Sequence, residues 1–334
     1  MLDARSLTAI EAGGRRYVLG QRLGAGGMGV VYEATCAQRG DRFAIKFLHP
    51  EQTHHGRARQ RIDAEAFAGL LIHHPHVVAV LDAGTTGAGD SYLVMEHVHG
   101  EPLGRRLRRE GAMAPARAIE IARQILSGLS AAHHVGIVHG DIKTDNVLVE
   151  ARADGTDHCK LLDFGLARIQ FETCRDPNEP NPAREEWLSG TPEYMAPEVI
   201  QGNGPSFCAD LYAVGIILYE LLTGSTPFAG GTMSEIAERH LADEVVPPSL
   251  RCTYEIPASL DRVILRALDK DARARFQTAE ALMEALAAVA GEVTVSRPPV
   301  LPMPFRARTW SWRRDRDATT VVASPHKRLA SANG

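Results

Sequence analysis

His139-Gly140-Asp141-Ile142-Lys143-Thr144-Asp145-Asn146-Val147-Leu148 is the stretch on which the reading of this chain turns. Asp141 can accept a proton from an attacking hydroxyl, Lys143 can steady a phosphoryl group in transit, and Asn146 can bind a metal ion through its side-chain oxygen. Asp163-Phe164-Gly165 comes further along the chain, and Asp163 offers a second oxygen ligand. Phosphoryl transfer needs little more than two metal ligands, a cationic clamp and a residue that orients the nucleophile. Asp-Phe-Gly alone occurs by chance; its place behind the first stretch gives it weight.

Working back towards the N-terminus, Gly24-Ala25-Gly26-Gly27-Met28-Gly29-Val30-Val31 reads as GxGxxGxV. Glycines let a backbone approach phosphate oxygens with no side chain between. The glycines lead into a strand pattern, Val30 to Thr35, where a dinucleotide fold needs a helix. No Gly-Lys-Ser/Thr closes a Walker loop either. A glycine-rich hairpin over a nucleotide remains. Next comes Ala44-Ile45-Lys46, a lysine among apolar strand residues. A lysine that grips phosphate oxygens needs a carboxylate to orient it, and Glu65 on the helix pattern after it is the candidate.

The wider pattern divides the chain. Tyr17–Leu23, Gly29–Thr35, Arg42–Leu48, Val77–Asp82 and Ser91–His97 read as five strands around one helix, Arg57–Ile72. From about Gly100 the period becomes helical. Ile119, Ala122, Ile125, Leu126, Leu129 and Ala132 line one face behind Pro115, and Ala209–Leu222 is nearly apolar all round. Ser259 and Thr278 are candidate caps for two further helices. Beyond Gly291, prolines and basic residues break the pattern, and Trp310 and Trp312 stand out.

Composition narrows the class. The chain has 334 residues, 37 Lys+Arg against 41 Asp+Glu, and a hydrophobic share of 44 %, which suits a folded protein. The run Leu211–Leu222, interrupted by Glu220, is far shorter than the roughly 20 apolar residues of a membrane span. No transmembrane segment and no secretory leader are expected, and the expected location is the cytoplasm. The five cysteines, Cys36, Cys159, Cys174, Cys208 and Cys252, lack paired spacing and fit neither a disulfide framework nor a closed zinc site. The charge is -4 overall, made of an acidic body and a basic tail. No nucleic-acid partner is expected. The adjacent pairs His54-His55, His73-His74 and His133-His134 do not share a helix face, so no metal is expected there. Arg105, Arg106, Arg108 and Arg109 form a basic patch, read as solvated helix surface or a substrate or partner contact.

With these pieces in order, the chain resembles the eukaryotic-like serine/threonine protein kinases of bacteria over about Tyr17 to Val289. The matching motifs are the glycine-rich loop, Ala44-Ile45-Lys46, Glu65, the stretch from His139, Asp163-Phe164-Gly165, Gly190-Thr191-Pro192-Glu193-Tyr194-Met195-Ala196-Pro197-Glu198, Asp210 and Arg275. The resemblance implies an α+β, bilobal protein kinase fold. Residues 17–98 would form the N-lobe, a five-stranded antiparallel sheet with one main helix, and 99–290 a mainly helical C-lobe. Residues 1–16 would be an N-terminal extension and 291–334 a basic, proline-containing tail. The implied activity is ATP-dependent phosphorylation of serine and threonine hydroxyls, of the EC 2.7.11.1 type, with autophosphorylation and a role in bacterial signalling. ATP and Mg2+, with Mn2+ as an alternative, are the implied cofactors. Protein substrates and self-association for autophosphorylation are the implied partners.

The resemblance also assigns residues. Lys46, held by Glu65, would anchor the phosphates beneath Gly24, Gly26 and Gly29. Asp141 and Lys143 would serve the acceptor, and Asn146 and Asp163 the metal. Leu23, Val31 and Ala44 would cover the adenine, with Leu148 beneath it. Met95 would stand behind it, and the Glu96 carbonyl and Val98 amide would bind its edge. His139 and Phe164 would stack between the lobes, Asp210 would hold the loop backbone, and Glu198 would pair with Arg275. The sequence departs from the family at Gly140, where an arginine that meets an activation-loop phosphate is usual. Activity without loop phosphorylation is therefore expected. Two other readings stay open: a signalling scaffold without turnover, which Gly140 favours, and a small-molecule kinase, which the Gly190–Glu198 segment opposes.

Overall fold

Period-two alternation sorts the strand Arg42–Leu48 between two apolar clusters. Ile45 and Phe47 join Ile10, Tyr17, Tyr92 and Val94. Ala44 joins Val78, Val80, Leu93 and Met95. Lys46 shares the face of Ala44 and is only 3 % exposed. The computed structural model that shows this describes residues 9–26, 29–48, 69–87, 89–164, 168–169, 191–252 and 255–293. Met1–Pro299 form one compact unit. Val300–Gly334 form a second unit, outside the described residues, as are Trp310 and Trp312.

Six antiparallel strands make the first sheet: β1 (Ala9–Ala12), β2 (Arg15–Gly26), β3 (Gly29–Cys36), β4 (Arg42–Leu48), β5 (Val80–Thr85) and β6 (Ser91–Glu96), in the order β1-β2-β3-β4-β6-β5. The strand pattern in the sequence predicts five. The sixth, β1, comes from the segment expected to be an N-terminal extension. Gly13 and Gly14, with φ of 51° and 72°, form the two-residue hairpin turn that L side chains resist. Ile10 and Ala12 then face the core while Glu11 faces out. The Tyr92 hydroxyl donates to the Glu11 carbonyl at 3.2 Å, which draws the first strand towards the far end of the sheet. Of the helix expected over Arg57–Ile72, residues 69–71 are helical, Ile72 is irregular and buried, and 57–68 lie outside the described residues.

The remainder is mostly helical. β7 (Glu101–Pro102), α1 (Leu103–Glu110), α2 (Pro115–His134) and β8 (Ile137–Val138) lead into the site, and β9 (Val147–Ala151), β10 (Asp157–Leu161) and β11 (Arg168–Ile169) come after it. Then come α3 (Pro197–Ile200), α4 (Phe207–Thr223), α5 (Met233–Ala242), α6 (Ala258–Ala267) and α7 (Ala279–Ala290). Pro115 opens α2, and its predicted apolar face is buried throughout. α4 is buried on nearly every side, capped by the Ser206 hydroxyl and stopped by Gly224 at φ 81°. Thr278 caps α7 as expected. Ser259 does not cap α6: that helix starts after Pro257, which places Ser259 inside the first turn, where it bonds Glu292. Among the described residues no helix is long and apolar enough to cross a membrane.

Candidate active site

Two anchors hold the loop between β8 and β9. The first is Asp210, in the first turn of α4 and 2 % exposed. Its Oδ2 accepts from the His139 amide and lies 2.9 Å from His133 Nε2, and its Oδ1 accepts from the Gly140 amide at 2.9 Å. The second is a 3-10 turn, Thr144–Asn146. It folds Asn146 back, so that its Nδ2 donates to the Asp141 carbonyl at 2.8 Å and to Asp141 Oδ2 at 3.0 Å. Lys143 Nζ donates to the same Oδ2 at 2.7 Å. One carboxylate thus faces the site with an ammonium and a carboxamide on it.

Asp163 arrives from the end of β10. The Leu162 amide bonds the Asn146 carbonyl at 2.9 Å, which sets the two chains side by side. Asp163 is the one non-glycine residue among those described with positive φ, at 56°. Such a backbone is strained for an aspartate and aims its carboxylate at the lobe junction. Lys46 reaches it from β4: Nζ to Asp163 Oδ1 is 2.8 Å. Burial works against the charge of Asp163, but the Lys46 ammonium prevails and holds the carboxyl below its ordinary range. The His139 and Phe164 rings stack at 4.6 Å between centroids. The structure therefore brings Lys46, Asp141, Lys143, Asn146 and Asp163 to one place. Glu65, Gly27, Met28 and Gly165 lie outside the described residues.

The remaining predicted residues lie on β2, β3, β4, β6, β9 and the chain just after β6. Gly24 pairs with Val31, and Gly26 with Gly29, at the β2–β3 hairpin end. A Cβ on Gly29 would meet the Phe47 carbonyl oxygen at 2.1 Å, so close packing requires that glycine. A Cβ on Gly24 or Gly26 would meet nothing within 4 Å, which leaves an open backbone face. Ala44 and Met95 are register partners. Glu96 closes β6, its carboxylate accepting from Lys160 at 2.7 Å and from the Ala79 amide at 2.8 Å. Val98 lies beyond it in irregular chain and Leu148 sits in β9. Leu23 is 45 % exposed on β2.

The oxygens fit a hard divalent cation. Asn146 spends its nitrogen on Asp141 and Asp163 gives one oxygen to Lys46, which leaves an oxygen on each. No group of three His, Cys, Asp or Glu able to hold a metal occurs among the described residues.

A second network lies beyond what the sequence pattern predicts. The Thr144 hydroxyl and Tyr194 Oη are 2.9 Å apart, and Tyr194 donates to Glu220 Oε2 at 2.5 Å. Burial pushes the Glu220 carboxyl up to about 7, against the pull of the Tyr194 hydroxyl bond. Burial and the neighbouring Glu220 raise the Tyr194 phenol in turn. The signal available in the sequence is Glu220 itself, a carboxylate inside an apolar helix that must find a donor. Farther down, Arg275 forks onto Glu198 with two bonds of 2.8 Å, its side chain 0 % exposed.

A family profile for the protein kinase domain matches residues 17–286. The chain is 38 % identical over 275 residues to the serine/threonine-protein kinase pkn3 of Myxococcus xanthus, covering 82 % of this chain and 50 % of that one. It is 36 % identical over 269 residues to a probable serine/threonine-protein kinase PknB of Lactococcus lactis, covering 80 % and 41 %. To the serine/threonine-protein kinase PknB of Mycobacterium tuberculosis it is 35 % identical over 268 residues, covering 79 % and 41 %. The chain belongs to the protein kinase domain family. It spans about half the length, or less, of these curated relatives.

Proposed function

We propose that this chain is an ATP-dependent protein kinase that phosphorylates serine and threonine hydroxyls. The convergence of Lys46, Asp163, Asn146, Asp141 and Lys143 on one junction carries the reading. The lysine grips the α and β phosphates of ATP, with Glu65 as its orienting carboxylate. Gly24, Gly26 and Gly29 bring backbone to the phosphate chain. Leu23, Val31, Ala44, Met95 and Leu148 enclose the adenine, and the Glu96 carbonyl and Val98 amide bind its edge. Asn146 and Asp163 hold Mg2+, or Mn2+ in its place, and the cation would offset phosphate charge when bound.

Asp141 orients the acceptor hydroxyl and takes its proton as oxygen bonds to the γ-phosphorus. The bond from that phosphorus to the β-phosphate oxygen breaks, and ADP leaves with the electron pair. Lys143 balances charge on the moving group. Residues 17–98 and 99–290 are the two lobes in this reading, preceded by 1–16 and followed by the basic tail 291–334. The setting is cytoplasmic signalling, with protein substrates and a second copy of the chain as partners in autophosphorylation. The relatives named as serine/threonine-protein kinases support the acceptor class.

The test is transfer of label from γ-labelled ATP with Mg2+ to a generic protein acceptor. Label on serine or threonine, absent with Asp163→Ala, is the expected result. Folded, ATP-binding protein that transfers nothing in either form overturns the reading in favour of a scaffold. Label on small molecules alone would move it to the other kinase class.

A further inference from the structure

Helix α1 packs directly on the loop that carries the candidate acceptor residues. A Cβ on Gly104 would lie 2.8 Å from Asp145 Oδ1 and 2.8 Å from Thr144 Oγ1, so the glycine lets those two side chains pack against the helix backbone. One turn on, Arg108 reaches Asp145 at 3.7 Å. It is also close enough to Glu220 to lower that carboxyl's affinity for a proton, against the larger effect of burial.

The charges around α1 are not evenly matched. Arg106, Arg109 and Arg117 take up Glu110, Asp157 and most of Glu101 through short contacts, with Asp157 holding two guanidinium groups at 2.6 Å. Arg105 reaches Glu101 only at 4.0 Å, on a carboxylate already shared, and its side chain is 74 % exposed. Arg108 is 70 % exposed, and its partner Asp145 59 %. The two cations are three residues apart on a helix that touches the Thr144–Asn146 turn, and Asn146 of that turn bonds Asp141. Bonds this long and wet contribute little, so a better-placed anion can replace them at small cost.

We propose that Arg105 and Arg108 select acceptor segments that carry an aspartate or glutamate near the hydroxyl. The inference rests on the kinase reading above. The chain's own sequence contains such segments: Thr173 follows Glu172 and precedes Asp176, and Ser189 follows Glu185 and Glu186. A carboxylate laid beside α1 would exchange water for Arg108 and relieve the excess positive charge there. Arg108 also screens Asp145 and Glu220, two carboxylates that would otherwise repel it.

The experiment uses the full chain and threonine peptides of neutral sequence, with one aspartate or one lysine scanned through the positions on either side. At low salt the best aspartate peptide should exceed the neutral one by about fivefold in kcat/KM, mainly through KM, and the gap should close as salt is added. Arg108→Gln should remove most of the preference. Arg105→Glu with Arg108→Glu should reverse it towards the lysine peptide, a gain that a merely weakened protein cannot produce. Aspartate and neutral peptides phosphorylated alike, or an acidic preference that survives the double reversal, overturns the inference and leaves the kinase reading standing. Failure to label any peptide or protein overturns both.

Discussion

Helix α4 carries two inward carboxylates ten residues apart, and the protein treats them in opposite ways. Asp210, at the N-terminal end, is nearly sealed from water yet meets two amides and an imidazole. Glu220, at the C-terminal end, is partly buried, has the Tyr194 and Thr144 hydroxyls beside its carboxylate and no backbone amide on it among the described residues, and rises to about 7 because of burial. The helix dipole reinforces the contrast, since it favours an anion at the first end and opposes one at the last. What separates the two ends is the supply of donors: among the described residues two backbone amides bond the Asp210 carboxylate and none bonds that of Glu220. One end of the helix is therefore an anchor for the loop from His139. The other is a titrating joint under Tyr194.

Asp210→Ala should give the largest effect. It leaves the His139 and Gly140 amides without their acceptor in a buried place, a loss of about 3–5 kcal/mol. Urea denaturation checks it, and turnover measured below the unfolding transition should also collapse because the loop from Asp141 to Asn146 hangs on those two amides. A loss under about 1 kcal/mol would mean that the 3-10 turn alone sets the loop.

The second prediction sharpens the comparison through pH. Glu220 has a folded value raised above its unfolded one, so the native state holds the extra proton between about 4.5 and 7. Stability from this group is highest at the acid side and falls as pH rises through that window. Glu220→Gln, which stays neutral and can still accept from Tyr194, should not show the fall. The difference in stability between wild type and variant should therefore shift by about 1–3 kcal/mol between pH 5 and pH 7.5, with wild type relatively better in acid. Parallel curves would place the Glu220 carboxylate in contact with water after all.

How much of the molecule is legible in the sequence follows the same division. The loop from His139 and Asp163 can be read because phosphoryl chemistry demands few residue types in a fixed order. Period-two alternation puts Lys46 and Ala44 on one face of β4. α4 announces itself by being apolar all round. The Glu220 joint is hidden because its partners, Tyr194 and Thr144, are distant in sequence and each looks ordinary alone. Strand β1 is hidden differently: Gly13-Gly14 is a strong hairpin signal, but the resemblance begins at Tyr17 and draws the boundary there. Ser259 fails as a cap because Pro257 starts the helix earlier.

Gly140 is the smallest test and the one closest to the anchor. Its φ of 77° lies where side chains are strained, and its amide is one of the two that Asp210 holds. Gly140→Ala should therefore cost about 1 kcal/mol from backbone strain alone, an effect far below that of Asp210→Ala and readable by thermal denaturation. The position also lines a cavity with Asp141, Thr191, Tyr194 and Met195, so the backbone there is fixed while the space beside it is open. No guanidinium stands at Gly140 to receive a phosphate, so turnover is expected not to require loop phosphorylation. Phosphatase treatment, verified by mass spectrometry, should leave the turnover rate unchanged. A rate abolished by dephosphorylation would show that another cation does the work of the missing arginine, and that the Asp210 anchor is not sufficient to hold Asp141 in place.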